Sequence, residues 1–287
     1  MQVINSVAQL RKVIQHARDR DESIGFVPTM GNLHEGHIYL VKQARKQCDL
    51  VVASIFVNPL QFAAGEDLDT YPRTLEADKA KLTTNGCDLL FAPSVDEIYP
   101  QGQQAETTVE LPELSRLHCG ITRPHFFKGV ATVVVKLLGM VRPDQAFFGE
   151  KDFQQLTIIR KVVQELFIPT EIIGVATIRE PSGLAMSSRN GYLSDTERQQ
   201  AALLYQQLQQ TRKKLQLGEL DFTSLELTAN RQLAQQGFSP DYFHICNKHS
   251  LLPATVDERE LVVLAAAKLG STRLIDNISV EIDPACH

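Results

Sequence analysis

Short apolar runs alternate with helically patterned stretches over the first 176 residues. Runs at 23–29, 50–57, 88–91, 145–148 and 171–176 are largely continuous in apolar character, whereas 36–47, 75–85, 130–140 and 153–166 repeat apolar positions at helical spacing. Strands apolar on both faces and separated by amphipathic helices belong to a parallel sheet covered on both sides. The pattern predicts an α/β fold with a doubly wound, Rossmann-like parallel sheet. Residues 1–20 read as one short amphipathic helix, and a long loop follows 91.

Beyond Arg179 the texture changes. Ser194 and Glu197 stand at capping-box spacing before a Gln- and Leu-rich helix running to about 217, a second helix covers 225–236, and strand candidates lie at 242–246, 261–268 and 272–280. The expected division is a Rossmann-like ligand-binding domain over 1–178 and a smaller α+β domain over 179–287 that closes over the site. There is no internal repeat.

Composition fits this picture: 287 residues, 43% apolar and 22% charged, describe a globular chain of about two domains. With 29 basic and 34 acidic side chains the net charge is −5, so no net basic field gathers nucleic acid or an anionic membrane. The longest apolar stretch, 129–141, contains Lys136 and falls short of the ~20 residues of a spanning helix. The first residues lack a signal peptide's apolar centre. Five scattered cysteines with no CxxC pair read as reduced thiols, which points to the cytoplasm.

Chemistry concentrates where predicted strands give way to helices. The segment PTMGNLHEGH (28–37) follows the first such strand, where helix N-termini and backbone N–H groups favour anions. Gly31 admits a ligand to the backbone, and His34 and His37, three apart, share one side of the first turn. Paired imidazoles there suit nucleotide phosphates. A solvated cap is the ordinary reading of one such histidine; half a metal site is another, but no further ligands stand at zinc-like spacing, so no metal ligands are assigned. His16, His118, His244 and His249 have no such setting and read as ordinary.

Gln61, after the second strand, offers donors and an acceptor suited to a hydroxy acid, though a solvated loop glutamine is as common. Gly149, Glu150, Lys151 and Asp152 repeat the strand, glycine, helix-start arrangement. A lysine at a helix start opposes the dipole unless an anion neutralises it, which favours a phosphate-clamping Lys151. Gln154 and Gln155 point about 100° apart on a helix, so only one addresses the crevice. Met186, Ser187, Ser188 and Arg189 form a donor-rich loop, a common sequence on its own.

These segments, with FVNPLQF (56–62), DTYPR (69–73), FGEKDFQQ (148–155), REP (179–181), MSSRN (186–190) and TRLIDN (272–277), resemble, in order, the blocks of the pantoate–β-alanine ligase family within the HxGH nucleotidyltransferases. The resemblance implies an ATP-dependent acid–amine ligase: pantoate is adenylated with release of pyrophosphate, then β-alanine displaces AMP. It implies catalytic roles for His37 as proton donor, His34 and Lys151. It implies ATP contacts from Met30, Gly31, Asn32, Leu33, His34, Glu35, Gly36, His37, Gly149, Glu150, Lys151, Asp152, Ile178, Met186, Ser187, Ser188 and Arg189. Gln61 and Gln155 are the implied pantoate residues, Gln61 also meeting β-alanine. Mg²⁺ at the phosphates and a homodimer are implied as well. One departure stands out: Phe126 occupies a position where the family commonly shows His, with His125 one residue earlier, so no role is carried to it. Two rivals fit parts of the pattern. An adenylyltransferase acting on a phosphate calls for Arg or Lys where Gln61 and Gln155 stand, and a nucleotide-sensing module needs no complete clamp set.

Overall fold

The computed structural model describes residues 1–63, 65–103 and 106–282. Six strands, β1 (Gln2–Ile4), β2 (Ile24–Thr29), β3 (Leu50–Ile55), β4 (Leu89–Phe91), β5 (Gln145–Gly149) and β6 (Glu171–Val175), form a parallel sheet in the order β1-β4-β3-β2-β5-β6. Helices α1 (Val7–Arg18), α2 (Glu35–Gln47), α3 (Leu75–Thr84), α4 (Val95–Ile98), α5 (Cys119–Thr122), α6 (Phe126–Val141) and α7 (Phe153–Glu165) accompany it. A second sheet is antiparallel, β7 (Ser239–Asn247), β8 (Glu260–Leu269) and β9 (Thr272–Glu281), preceded by α8 (Asp195–Ala201), α9 (Leu203–Gln216) and α10 (Phe222–Gln235). Among the described residues no helix is long and apolar enough to cross a membrane.

The parallel strands are apolar throughout because successive side chains enter different cores. Phe26, Val52, Leu89 and Phe91 join one cluster with Leu10 and Ile14 of α1 and Val130, Val134 and Leu138 of α6. Their neighbours Val27, Val51, Ala53 and Leu90 join another with Val41 and Ala44 of α2 and Leu82 of α3. In the antiparallel sheet only alternate residues, among them Val263, Ala265 and Ala267, share a cluster with Leu208 of α9 and Leu233 of α10.

Three readings of the sequence change. The first residues are not helical: Gln2–Ile4 pairs with β4, and α1 begins only after Ser6, whose side chain accepts from Gln9 N. A three-residue edge strand carries too little pattern to announce itself. The long loop after β4 contains two one-turn helices, α4 and α5. The expected helix from 194 is interrupted at Ala202, yet that residue keeps helical angles (φ −62°, ψ −21°), so the backbone passes from α8 into α9 without leaving the helical region.

The contacts divide the chain into two compact units. One comprises Met1–Arg116, Gly120–Glu150 and Gln155–Ala176; the other comprises Leu117–Cys119, Lys151–Gln154 and the chain from Thr177. The linear break falls two residues before 178, and two short segments from the middle of the chain belong with the second unit. Side chains explain both. Gln154 accepts from Cys119 N and donates to Leu117 O, and Asn277 donates to Lys151 O. Cys48, Cys87, Cys119 and Cys246 are buried thiols; Cys286 lies outside the described residues.

Buried His118 and half-buried His244 form a pair in the second unit, Nδ1 to Nδ1 at 2.9 Å, with His118 Nε2 2.9 Å from Leu251 O. A carbonyl only accepts, so neutral His118 donates through Nε2 and accepts at Nδ1 from His244. Burial lowers both imidazole pKa values, that of His244 to about 4, where the His118 charge adds to the effect. The unfolded chain therefore takes up protons before the folded one does. Stability is expected to fall as pH drops from about 6.5 toward 4, with the pair contributing fully above that window. Chemical denaturation at stepped pH checks this: the slope should flatten in a His118→Phe/His244→Phe variant, and an unchanged slope would refute the assignment.

Candidate active site

The strand order reverses around β2, with β3 and β4 to one side and β5 and β6 to the other. In an open parallel sheet such a switch point leaves a crevice at the carboxyl ends of the strands. There the loop leaving β2 ends at His34 and the first turn of α2 carries His37, the turn leaving β3 carries Gln61, and β5 ends at Gly149.

The β2 loop turns through two left-handed residues, Gly31 (φ 84°) and Asn32 (φ 50°). A Cβ on Gly31 would also press on Ile55 and Asp78, so the position calls for glycine on both counts. Leu33 is buried in the core, and His34 becomes the N-cap of α2, with Glu35 exposed in the first turn. The capping is reciprocal and made by two imidazoles: His34 Nδ1 accepts from Gly36 N (3.1 Å), and His37 Nδ1 accepts from His34 N (3.3 Å). Glutamate or glutamine usually serves in the second role. With Nδ1 accepting, the proton of each neutral ring resides on Nε2. The rings lie 4.0 Å apart between centroids, tilted by 38°.

Gln61 ends a 3₁₀ turn after β3, capped by Asn58. Asn58 is buried; its amide donates to Gln61 Oε1 (3.1 Å) and Gly129 O (3.1 Å), and its Oδ1 accepts from the Tyr99 hydroxyl (2.7 Å). Gln61 Nε2 points at Met30 Sδ, 2.7 Å away, so the β2 and β3 loops meet through their implied ligand residues. Helix α6 approaches this turn so closely that a Cβ at Gly129 would overlap the Leu60 carbonyl.

Gly149, Glu150 and Gln155 belong to the same unit, Gln155 on α7 beside a Gln154 already committed to Leu117 and Cys119. Lys151 and Asp152 fall in the second unit, within the turn Glu150–Asp152; Lys151 Nζ is 3.7 Å from Asp152 Oδ1 and its side chain is 17% exposed. Ile178, Met186, Ser187, Ser188 and Arg189 also belong to the second unit. There Met186 N donates to Ile178 O (3.0 Å), Ser187 caps the turn Ser188–Tyr192 by accepting from Arg189 N, and Arg179 makes a bidentate pair with Asp276 at 2.6 and 2.9 Å.

A family profile described as Pantoate-beta-alanine ligase matches residues 2–279. The chain belongs to the pantoate–β-alanine ligase family. A pantothenate synthetase of Hahella chejuensis is 55% identical over 282 residues, covering 98% of this chain and 100% of that one. One of Pseudomonas aeruginosa is 53% identical over 283 residues, covering 99% and 100%. Among solved structures, the pantothenate synthetase of Thermus thermophilus aligns over 97% of this chain and 99% of its own, with TM-score 0.89 and 44% identity. The pantoate-beta-alanine ligase of Francisella tularensis, solved with beta-gamma ATP and beta-alanine, aligns over 97% of each chain with TM-score 0.81 and 35% identity. Family membership gives the class of reaction, a ligation of pantoate to β-alanine.

Against the family's usual histidine, Phe126 opens α6 half-buried and packs on the first unit's core. The Arg123 guanidinium lies 3.8 Å from its ring centroid and bonds both Glu66 oxygens at 2.6 Å and Gln61 O at 3.1 Å. Phe126 thus serves as a platform for an arginine that ties down the Gln61 turn. Asn58, Tyr99, Arg123 and Asp78 all shape the ligand loops, and the sequence reading assigned them no role. NPxQ spacing is a cue for Asn58; Tyr99, Arg123 and Asp78 are brought in only by tertiary folding.

Proposed function

We propose that this chain joins pantoate to β-alanine in two steps, adenylating the pantoate carboxylate with ATP and then letting the amine displace AMP. The observation that carries it is the reciprocal histidine cap, with Nε2–H donors at a helix N-terminus, adjoining the neutral amide of Gln61 through Met30. A carboxylate is ionised at neutral pH, so the first step needs positioning and charge stabilisation rather than a base. His34 and His37 polarise the triphosphate as charge builds in transfer, with His37 the donor to the departing pyrophosphate. The backbone from Met30 to Gly36, and Gly149 and Glu150, border the nucleotide. Lys151, Ser187, Ser188 and Arg189 hold phosphate charge, Asp152 and Met186 contact the nucleotide, the backbone of Ile178 meets adenine, and Gln61 and Gln155 hold pantoate, Gln61 also β-alanine.

Among the described residues no group of three or more His, Cys, Asp or Glu stands together as a metal cage. Mg²⁺ would enter with the substrate, on the phosphate oxygens, the usual mode for a small hard cation. In the second step the amine attacks in its neutral form and water must be kept from the mixed anhydride. Family membership is the support for placing the enzyme in the cytoplasm as a homodimer.

With Mg²⁺-ATP and pantoate but no β-alanine, labelled pyrophosphate should exchange into ATP; adding β-alanine should divert the exchange into AMP release. An adenylyltransferase would need a phosphorylated acceptor, and a sensing module would exchange nothing. Absence of pantoate-dependent exchange in folded enzyme would rule out the two-step route.

A further inference from the structure

Behind the histidine loop stands a carboxylate removed from water. Asp78, on α3, is 1% exposed, and its oxygens accept the backbone N–H groups of Asn32 (2.9 Å) and Leu33 (2.8 Å) and the Thr74 hydroxyl (3.1 Å). Three residues along the same helix face, Lys81 donates to Leu33 O at 2.6 Å. One face of α3 therefore grips Leu33 at both its N–H and its C=O, immediately before the capping His34.

The backbone in this stretch requires such a grip. Asn32 sits at φ 50° next to Gly31 at φ 84°, and left-handed non-glycine residues persist only where their surroundings over-determine them. Charge argues against a role in drawing the ligand. A buried anion behind a polyphosphate loop repels the nucleotide, so its presence needs a geometric reason. We propose that Asp78, assisted by Lys81, is a positioning residue: it fixes the Asn32 and Leu33 amides and thereby the placement of the two histidines for the nucleotide. The link to ATP rests on the functional reading above; the grip on the loop does not.

The two roles predict opposite signs for Asp78→Asn, which keeps the shape, removes the charge and leaves one acceptor for two N–H donors. Positioning predicts that ATP alone, titrated calorimetrically, binds at least about tenfold more weakly, the scale of one lost charge-assisted hydrogen bond. It also predicts that the Asn32 and Leu33 amides exchange with solvent at least about tenfold faster, while the pantoate KM stays within about twofold. Simple electrostatics predicts tighter ATP binding. Lys81→Met, at an exposed position, should shift both readouts in the same direction by less, with Lys81→Arg restoring them; its faster exchange at Leu33, which loss of a positive charge alone would not cause, decides the matter if Asp78→Asn fails to fold. Unchanged or tightened ATP binding, or unchanged exchange at Asn32 and Leu33, would overturn the proposal. Wild-type enzyme that binds ATP but shows no pantoate-dependent pyrophosphate exchange would overturn the functional reading and leave the positioning role to be judged by the other two measurements.

Discussion

Replacing His37 by Ala is expected to lower kcat, and pantoate-dependent pyrophosphate exchange with it, by at least about 10²-fold, the scale for losing one preorganised donor to developing charge. The reason is the locked tautomer: Nδ1 is held by His34 N, so Nε2 presents the proton, on the proposed reading toward the triphosphate. Alanine also removes the N3 half of the capping box, leaving the His34 N–H without its side-chain acceptor and the helix start less stable. His37→Gln separates the two effects, because glutamine at this position can still accept from the His34 N–H. Equal losses of kcat in both variants, with only His37→Ala less stable, would assign the effect to the imidazole. Near-normal turnover in folded His37→Gln would sink the assignment.

Lys151→Ala should cut kcat/KM for ATP by about 10²-fold or more, through both parameters, because an ammonium that meets phosphate charge works in the ground state and more strongly in the transition state. Its only ion pair among the described residues is the long contact to Asp152 at 3.7 Å, and its backbone is fixed by Asn277, so the side chain is well placed to answer an anion. Lys151→Arg should recover only part of the loss, since a planar fork does not reproduce a compact point charge. Steady-state kinetics with each substrate varied in turn decides the matter. A variant altered only in its pantoate or β-alanine KM would place Lys151 away from the phosphates.

The parallel sheet was legible because its strands are buried on both faces: Phe26 and Val27, or Leu89 and Leu90, enter different cores, so the chain shows unbroken apolar runs with helices between. Position in that pattern drew attention to His34, His37, Gln61 and Lys151, all of which follow strands. The supports were illegible for the opposite reason. Asp78 looks like one more acidic residue in the first turn of a polar helix, and Tyr99 lies in a long loop; what they do depends on which backbone arrives beside them. Gln154 and Gln155 are separable in the structure because one side chain is consumed by Leu117 and Cys119, a strap of three residues that no local pattern foretells.

On the proposed reading, the paired histidine cap makes helix initiation and nucleotide contact the business of the same two rings. Each imidazole is oriented by a backbone N–H within its own first turn, before any nucleotide arrives. Ordering a side chain at the moment of binding typically costs about 0.5–1.5 kcal/mol. Here that entropy is surrendered during folding, so the affinity of the site draws on stability already established in α2, and mutations that fray this helix start should weaken nucleotide binding even where they touch neither ring.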